Sequence, residues 1–323
     1  MENSVLVIQQ ELIEKLHIQP AQCIEWVRQA FLQKDEAQMP AKLSVHPQGE
    51  DFITTMPCLL PESDGRKYFG IKVVSRIDGQ TPVLQSLVNL FDARTGHLLA
   101  VLDADWITAM RTGAVAALAA RLFQRQGVNA YSMMGLGNVA RAVALCLIED
   151  NIDRPITIRL LRYKDQAEKF VERFSHYSNV TFEIIDDRHD FVAEADVLVS
   201  CVTLAKELLF PDDSWFPEGM TLIPVHMRGF QNCDLFFDKV FGDETEQLRG
   251  FRYFEQFRQY DELHHVLIGK NPGRTSPRER IISYNYGIAL HDVFFASRIF
   301  ELLQHQGADC TFELAKQKQK VWV

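Results

Sequence analysis

The 323-residue chain has no apolar run approaching the roughly 18 residues that a membrane span needs, and its opening segment, Met1-Glu-Asn-Ser-Val-Leu-Val-Ile-Gln-Gln, lacks a cationic stretch ahead of an apolar one. A membrane-bound or secreted protein is not expected, and the cytoplasm is the expected location. Cysteine is sparse: six residues lie far apart with no Cys-x-x-Cys, which signals neither a zinc knuckle nor a redox pair, so they read as reduced thiols. Basic runs are also missing. With lysine and arginine scattered and a formal charge of −9, neither nucleic acid nor an anionic membrane is an expected partner. There is no internal repeat, no Gly-x-Ser-x-Gly elbow and no His-Glu-x-x-His. His264-His265 has no carboxylate or cysteine at ligand spacing, so no metal site is expected. Gly269-Lys-Asn-Pro-Gly-Arg-Thr275 lacks the spacing of a phosphate loop and reads as a loop before a strand, Ile281 to Tyr284.

What is present is enough apolar material, 47% of residues, to build the cores of two domains. Apolar residues recur at helical spacing between 10 and 33, and Pro20 opens the second of two helices there. From Ala41 to Leu102 the pattern changes to short alternating runs broken by glycine and proline. Asp51 to Met56, Tyr68 to Ser75, Leu84 to Phe91 and His97 to Leu102 predict an antiparallel sheet. Asp105 to Gln126 is an alanine-rich helix that Gly127 stops. Beyond it, strands at Tyr131 to Met134, Ile156 to Leu161, Val180 to Ile185, Val197 to Cys201 and Thr221 to Pro224 alternate with helical segments, as in a parallel α/β sheet. Gly287 to Leu303 reads as an apolar helix returning to the first domain.

The stretch Ala130-Tyr-Ser-Met-Met-Gly135-Leu-Gly137-Asn-Val-Ala140-Arg141 is a strand feeding Gly-x-Gly-x-x-Ala and a helix. That order sets free backbone amides and the positive helix end against a phosphate, as in a dinucleotide site. At the end of the next strand stands Arg162, where an acidic residue binds the ribose hydroxyls of NAD. A guanidinium there suits a 2′-phosphate, so NADP(H) is favoured and NAD(H) stays open. Arg111, in the first turns of the alanine-rich helix, suits capture of a carboxylate. Phe69, Ile71 and Val73 share one strand face and Lys72 points to the other; the pattern alone is equally compatible with a solvent-facing lysine.

Together these segments resemble the ornithine cyclodeaminase/mu-crystallin family. The resemblance rests on Asn89-Leu-Phe-Asp-Ala-Arg-Thr-Gly96, Leu99-Ala-Val-Leu-Asp103, Ile107-Thr-Ala-Met-Arg-Thr-Gly-Ala114 and the glycine loop, then Arg162 to Phe170, Gly269 to Arg274 and Gly287-Ile-Ala-Leu-His-Asp292. It runs in matching order from about Ala41 to Asp292, and it implies an α/β fold with two parts. A Rossmann-type doubly wound parallel sheet would occupy 113–290. An α+β substrate-binding and dimerisation domain would be built from 1–112 and 291–323, and a homodimer would result.

The resemblance also implies site residues. Lys42, Met56, Lys72 and Arg111 would bind substrate, with Lys42 standing where many members carry arginine. Thr112, Gly135, Leu136, Gly137, Asn138, Val139, Arg162, Val202, Thr203 and Asp292 would hold the cofactor, Asp292 by ordering the nicotinamide end or capping local backbone. Lys72 would act in catalysis. Cyclodeaminases carry an aspartate in a Gly-Gly-Asp-Cys-Pro-Gly-Lys-like segment, whereas this chain reads Val225-His-Met-Arg-Gly-Phe-Gln-Asn-Cys-Asp234, leaving Asp234 and His226 as candidates for proton transfer. The implied activity is an NAD(P)H-dependent oxidation or reduction at the C–N bond of an α-amino or α-imino acid. The alternatives are an ornithine or lysine cyclodeaminase that releases ammonia, and an NADPH-binding protein without turnover.

Overall fold

A computed structural model describes residues 4–203, 205–304 and 311–313. The chain opens with β1 (Ser4–Ile8), α1 (Gln10–Lys15) and α2 (Pro20–Leu32), then runs through β2 (Leu43–Val45), β3 (Phe52–Leu59), β4 (Tyr68–Arg76), β5 (Leu84–Asp92) and β6 (Leu98–Asp103). The helix α3 (Asp105–Phe123) leads to β7 (Ala130–Met134), α4 (Asn138–Asp150), β8 (Ile156–Leu161), α5 (Gln166–Arg173), β9 (Val180–Ile185), α6 (Arg188–Ala193) and β10 (Val197–Ser200). There follow β11 (Thr221–Pro224), α7 (Cys233–Phe236), β12 (Lys239–Gly242), α8 (Thr245–Leu248), β13 (Tyr260–Glu262), α9 (Leu263–Leu267), β14 (Ile281–Tyr284), α10 (Ala289–Gln304) and β15 (Thr311–Glu313). No helix among the described residues is long and apolar enough to cross a membrane.

Two compact units result: Met1–Ile18 with Gln33–Thr108 and Ile288–Val323, and Gln19–Leu32 with Ala109–Gly287. This division differs from the expected one chiefly at α2, which packs on α4 and α9 of the second unit. Its buried residues Cys23, Ile24, Val27, Ala30 and Phe31 form a helical stripe that those helices cover.

The first unit holds a seven-stranded sheet in the order β15-β1-β6-β5-β4-β3-β2. Strands β2 to β6 are antiparallel as expected, but β1 joins β6 in parallel. Three strands were not anticipated: β1 is an unbroken apolar run without alternation, β2 is three exposed residues, and β15 is equally short. Along β4 the buried residues are Tyr68, Gly70, Lys72 and Val74, facing α10. Gly70 makes that contact possible, because a Cβ there would lie 2.8 Å from the methyl carbons of Val293. The opposite sheet face is apolar too, with Val45 64% exposed and Leu87 51% exposed.

In the second unit an all-parallel eight-stranded sheet runs in the order β13-β12-β14-β11-β10-β7-β8-β9. It is a Rossmann-type, doubly wound sheet: from β7 the chain steps outward through β8 and β9, then returns to β10 on the other side of β7. The gap between β7 and β10 is therefore its switch point, where such sheets receive ligands. One core cluster gathers Phe191, Phe210, Phe216, Phe230, Phe237 and Tyr284 between sheet and helices. Helix α3 lies so close to α4 that a Cβ on Gly113 would come within 2.5 Å of the Ala142 carbonyl.

Candidate functional site

The glycine loop is assembled by contact as well as by sequence. Gly135 has φ +75, and a Cβ on it would sit 2.5 Å from the Cys201 carbonyl carbon and the Val202 nitrogen. Only glycine lets the loop after β7 press against the loop after β10 at the switch point. Gly137 begins α4 without a side-chain cap, and its amide donates to Gly135 O at 2.8 Å. A Cβ on Gly137 would meet nothing within 4 Å, so open space lies before the first-turn amides of Asn138 and Val139, while Leu136 is buried beneath. Gly113 fixes the approach of this helix from behind. The arrangement fits a dinucleotide pyrophosphate, with Val202 and the exposed Thr203 alongside.

At the end of β8, Arg162 is 39% exposed by its side chain and bonds two carboxylates, Asp186 beyond β9 and Glu168 on α5. Asp186 was not visible from sequence, since the sheet order rather than chain proximity brings β9 beside β8, whereas Glu168 is a local partner six residues on.

In the first unit, Lys72 is 1% exposed, and its Nζ donates to Asp292 Oδ1 at 2.9 Å. Asp292, expected at the nicotinamide end or as a backbone cap, is fully buried and is this ion-pair partner. Gly70 is the cause, because it admits α10 to the sheet face that carries Lys72. Met56 lies opposite Lys72 on β3 and is buried on the same face. Asp105, at the start of α3, is also close enough to feel the Lys72 charge; burial raises its carboxyl above the ordinary range, partly offset by hydrogen bonds from Ser86. Lys42 is half-buried just before β2.

In the second unit, Arg111 is 5% exposed on α3, next to the buried Thr112. Gly287, with φ +86, lies against it: a Cβ there would fall 1.9 Å from Arg111 Nη1. The Gly287 amide donates to Asp243 Oδ2 at 3.0 Å, and Asn285 Nδ2 donates to Asp243 Oδ1 at 2.8 Å. Fully buried Asp243 at the end of β12 thus fixes the backbone on which the guanidinium rests. Sequence reasoning missed Asp243 and Asn285; the signal was a glycine just past a strand, in Asn-Tyr-Gly287.

The two proton-transfer candidates lie apart in character. His226 is half-buried and its Nε2 lies 2.7 Å from Ser200 Oγ; burial lowers its pKa to about 4, so the ring is neutral at physiological pH. Asp234 is 0% exposed within the aromatic core and accepts a 2.7 Å hydrogen bond from Tyr284 OH at Oδ1, while Oδ2 has no partner. Burial raises its pKa from 3.8 to about 7. The native state therefore keeps a proton that the unfolded chain has already lost, and linkage makes stability fall as pH rises from about 4 to 7. The full penalty is about 4 kcal/mol. Asp234→Asn is expected to raise the urea midpoint relative to wild type far more at pH 8 than at pH 4.5; an equal difference at both would assign the pH dependence elsewhere.

Other sequence expectations resolve structurally. His264 and His265 do have carboxylate neighbours, Glu262 at 3.1 Å and Asp261 at 2.5 Å, and Asp261 stands four residues before His265, so the expectation of no carboxylate at ligand spacing does not hold. The Gly269–Arg274 segment is a loop before β14, and it latches the end of α3: Arg274 Nε donates to Phe123 O at 2.6 Å and Nη2 to Thr221 Oγ1 at 3.0 Å. The five described cysteines are free and buried, and burial pushes the Cys23, Cys58 and Cys201 thiols up to about 12; Cys310 lies outside the described residues.

Comparison with known proteins agrees with this fold. The nodulation efficiency protein NfeD of Rhizobium meliloti is 26% identical over 279 residues, covering 83% of this chain and 85% of its own. A Thermococcus litoralis Δ1-pyrroline-2-carboxylate reductase, solved with NADH and L-proline, superposes with a TM-score of 0.82 at 24% identity, over 94% of this chain and 98% of that one. An archaeal alanine dehydrogenase dimer with bound NAD gives 0.83 at 23% identity, over 97% and 100%. The model of the ornithine cyclodeaminase/mu-crystallin family matches residues 2–307, and the chain belongs to that family.

Proposed function

We propose that the protein is an NAD(P)H-dependent oxidoreductase that reduces the C=N bond of an α-imino carboxylate. The observation that carries this reading is Arg111, a buried guanidinium seated on the Gly287 backbone in the unit that also forms the glycine loop. Arg111 receives the substrate carboxylate through charge-assisted hydrogen bonds, which fixes the α-carbon. The dinucleotide, when bound, supplies the hydride to that carbon. The nitrogen must then gain a proton, a role that the family resemblance gives to Lys72, whose Nζ donates to Asp292 within the first unit. Deep burial of Asp234 under Tyr284 supports a reductase over a cyclodeaminase, whose aspartate acts on the substrate. The reductase and dehydrogenase names of the structural relatives support the same chemistry.

NADPH is the preferred cofactor in this reading. The two carboxylates on Arg162 have side chains 51% and 72% exposed, and exposed ion pairs contribute only about 0–1 kcal/mol, so a 2′-phosphate displaces them readily. A homodimer forms on the outer sheet face of the first unit, where Leu43, Val45, Ile53 and Leu87 are 71, 64, 36 and 51% exposed.

The test is a cofactor-oxidation assay with cyclic imino acids and with 2-oxo acids plus amines, alongside fluorescence titration of both cofactors. Imine-dependent oxidation is expected, whereas silence across the panel despite cofactor binding would overturn the activity. Arg162→Asp is expected to weaken NADPH at least tenfold (about 1.4 kcal/mol) and to leave NADH within about twofold; equal effects would overturn the NADPH preference.

A further inference from the structure

A cleft of about 600 Å³ opens in the second unit beyond the pinned His226. The Ser200–His226 contact ties the loop after β11 to the end of β10, at the carboxyl edge of the sheet beside the switch point. The next two residues, Met227 and Arg228, line the cleft together with Gly250 to Tyr253. Part of its lining is apolar: Leu208, Met227 and Leu235 are 39, 43 and 40% exposed, an unusual clustering of large apolar side chains in contact with water. Three cations share that lining. Lys206, Arg228 and Arg252 face it with one carboxylate, Glu207, in a chain whose formal charge is −9. Arg252 stacks over the Tyr253 ring at 5.1 Å, and neither Lys206 nor Arg228 forms an ion pair among the described residues.

Apolar side chains beside three cations and a single carboxylate are complementary to an aliphatic chain ending in an anion. The volume lies within the range of small-molecule sites and far exceeds what an alanine-sized substrate fills. We propose that this cleft is a subsite for a carboxylate on an aliphatic arm, with Arg228 as its principal ligand, and that it holds the distal carboxylate of a dicarboxylic imino-acid substrate. The assignment to substrate rests on the reductase reading; the anion site itself does not. Arg228 is then a specificity-determining residue rather than a catalytic one. It discriminates between arms and leaves the reacting C=N bond untouched.

The experiment uses the full chain with saturating NADPH. Wild type, Arg228→Gln and Arg228→Lys are compared on imines of methylamine with pyruvate and with 2-oxoglutarate, and calorimetry measures the binding of glutarate, which has no C=N bond to reduce. Arg228→Gln is expected to raise KM for the 2-oxoglutarate imine by about tenfold or more, consistent with a lost charged hydrogen bond, with kcat within about twofold. KM for the pyruvate imine stays unchanged, Arg228→Lys recovers most of the loss, and glutarate binding falls in parallel. Equal shifts for both imines, or none, overturn the subsite. Glutarate binding indifferent to Arg228 while the pyruvate imine is reduced also overturns it and leaves the reductase reading intact. Arg228-dependent glutarate binding without any turnover keeps the anion site and removes the reductase reading. Glutarate that binds through Arg228 yet does not compete with the 2-oxoglutarate imine assigns the cleft to a separate organic acid and overturns the substrate-arm assignment.

Discussion

Gly287→Ala is expected to lower kcat/KM for imine reduction by about ten- to a hundredfold while cofactor binding stays close to wild type. Two effects act on the same atom. The new methyl would fall 1.9 Å from Arg111 Nη1, so the guanidinium must leave its seat, and φ +86 disfavours any residue with a Cβ. Loss of one charge-assisted hydrogen bond to a carboxylate costs about 1.5–3 kcal/mol, and backbone strain of about 1–3 kcal/mol adds a stability loss. The readouts separate these: KM carries the displaced arginine, and the thermal midpoint carries the strain. Glycine-loop contacts at Gly135 and Gly113 do not involve residue 287, so NADPH titration reports a retained cofactor site. Unchanged KM in the variant would remove Arg111 from carboxylate binding.

Lys72→Met is expected to abolish turnover and to destabilise the protein by about 3–5 kcal/mol, because Asp292 is left as a buried charge without its counterion. Adding Asp292→Leu is expected to recover most of that stability and none of the activity. The pair thereby separates the two roles of one contact. If the double variant stays as unstable as the single one, packing rather than charge sets the cost; if Lys72→Met retains turnover, the proton comes from another group. Urea midpoints and initial rates on the same preparations decide between these outcomes.

The elements legible in the sequence were those whose hydrophobic period was clean and whose ends were punctuated. β8, β9, β11 and β14 lie at their expected bounds because short branched-apolar runs sit between glycine, proline and polar turns. β12 and β13 escaped notice: Lys239-Val-Phe-Gly242 is too short to show a period, and Tyr-Asp-Glu262 is polar. Lys72 illustrates a deeper limit. Alternation along β4 separates two faces but does not say which is covered, and Phe69, Ile71 and Val73 make the outer face look like the core. The buried face is set by α10, over two hundred residues away in sequence. Arg111 was legible as a type of residue on a helix, whereas its seat on Gly287 and Asp243 depends on strand order. Arg162 was found at a strand end, and its partner Asp186 was hidden by the same kind of non-local pairing, while Glu168 stood only six residues on.

The segmented make-up of the first unit has a consequence for the timing of its assembly. Strands β1 to β6 precede the second unit's sheet in the chain whereas α10 follows it, and 220 positions separate Lys72 from Asp292. At a translation rate of about 5–20 residues per second, the ammonium waits roughly 10–40 s for its carboxylate. A charged lysine stays hydrated for that interval, which holds its sheet face open until the second unit has been completed. Ribosome-bound chains ending before Ala289 should therefore protect the amides of β7 to β11 from hydrogen exchange well before those of β3 to β5.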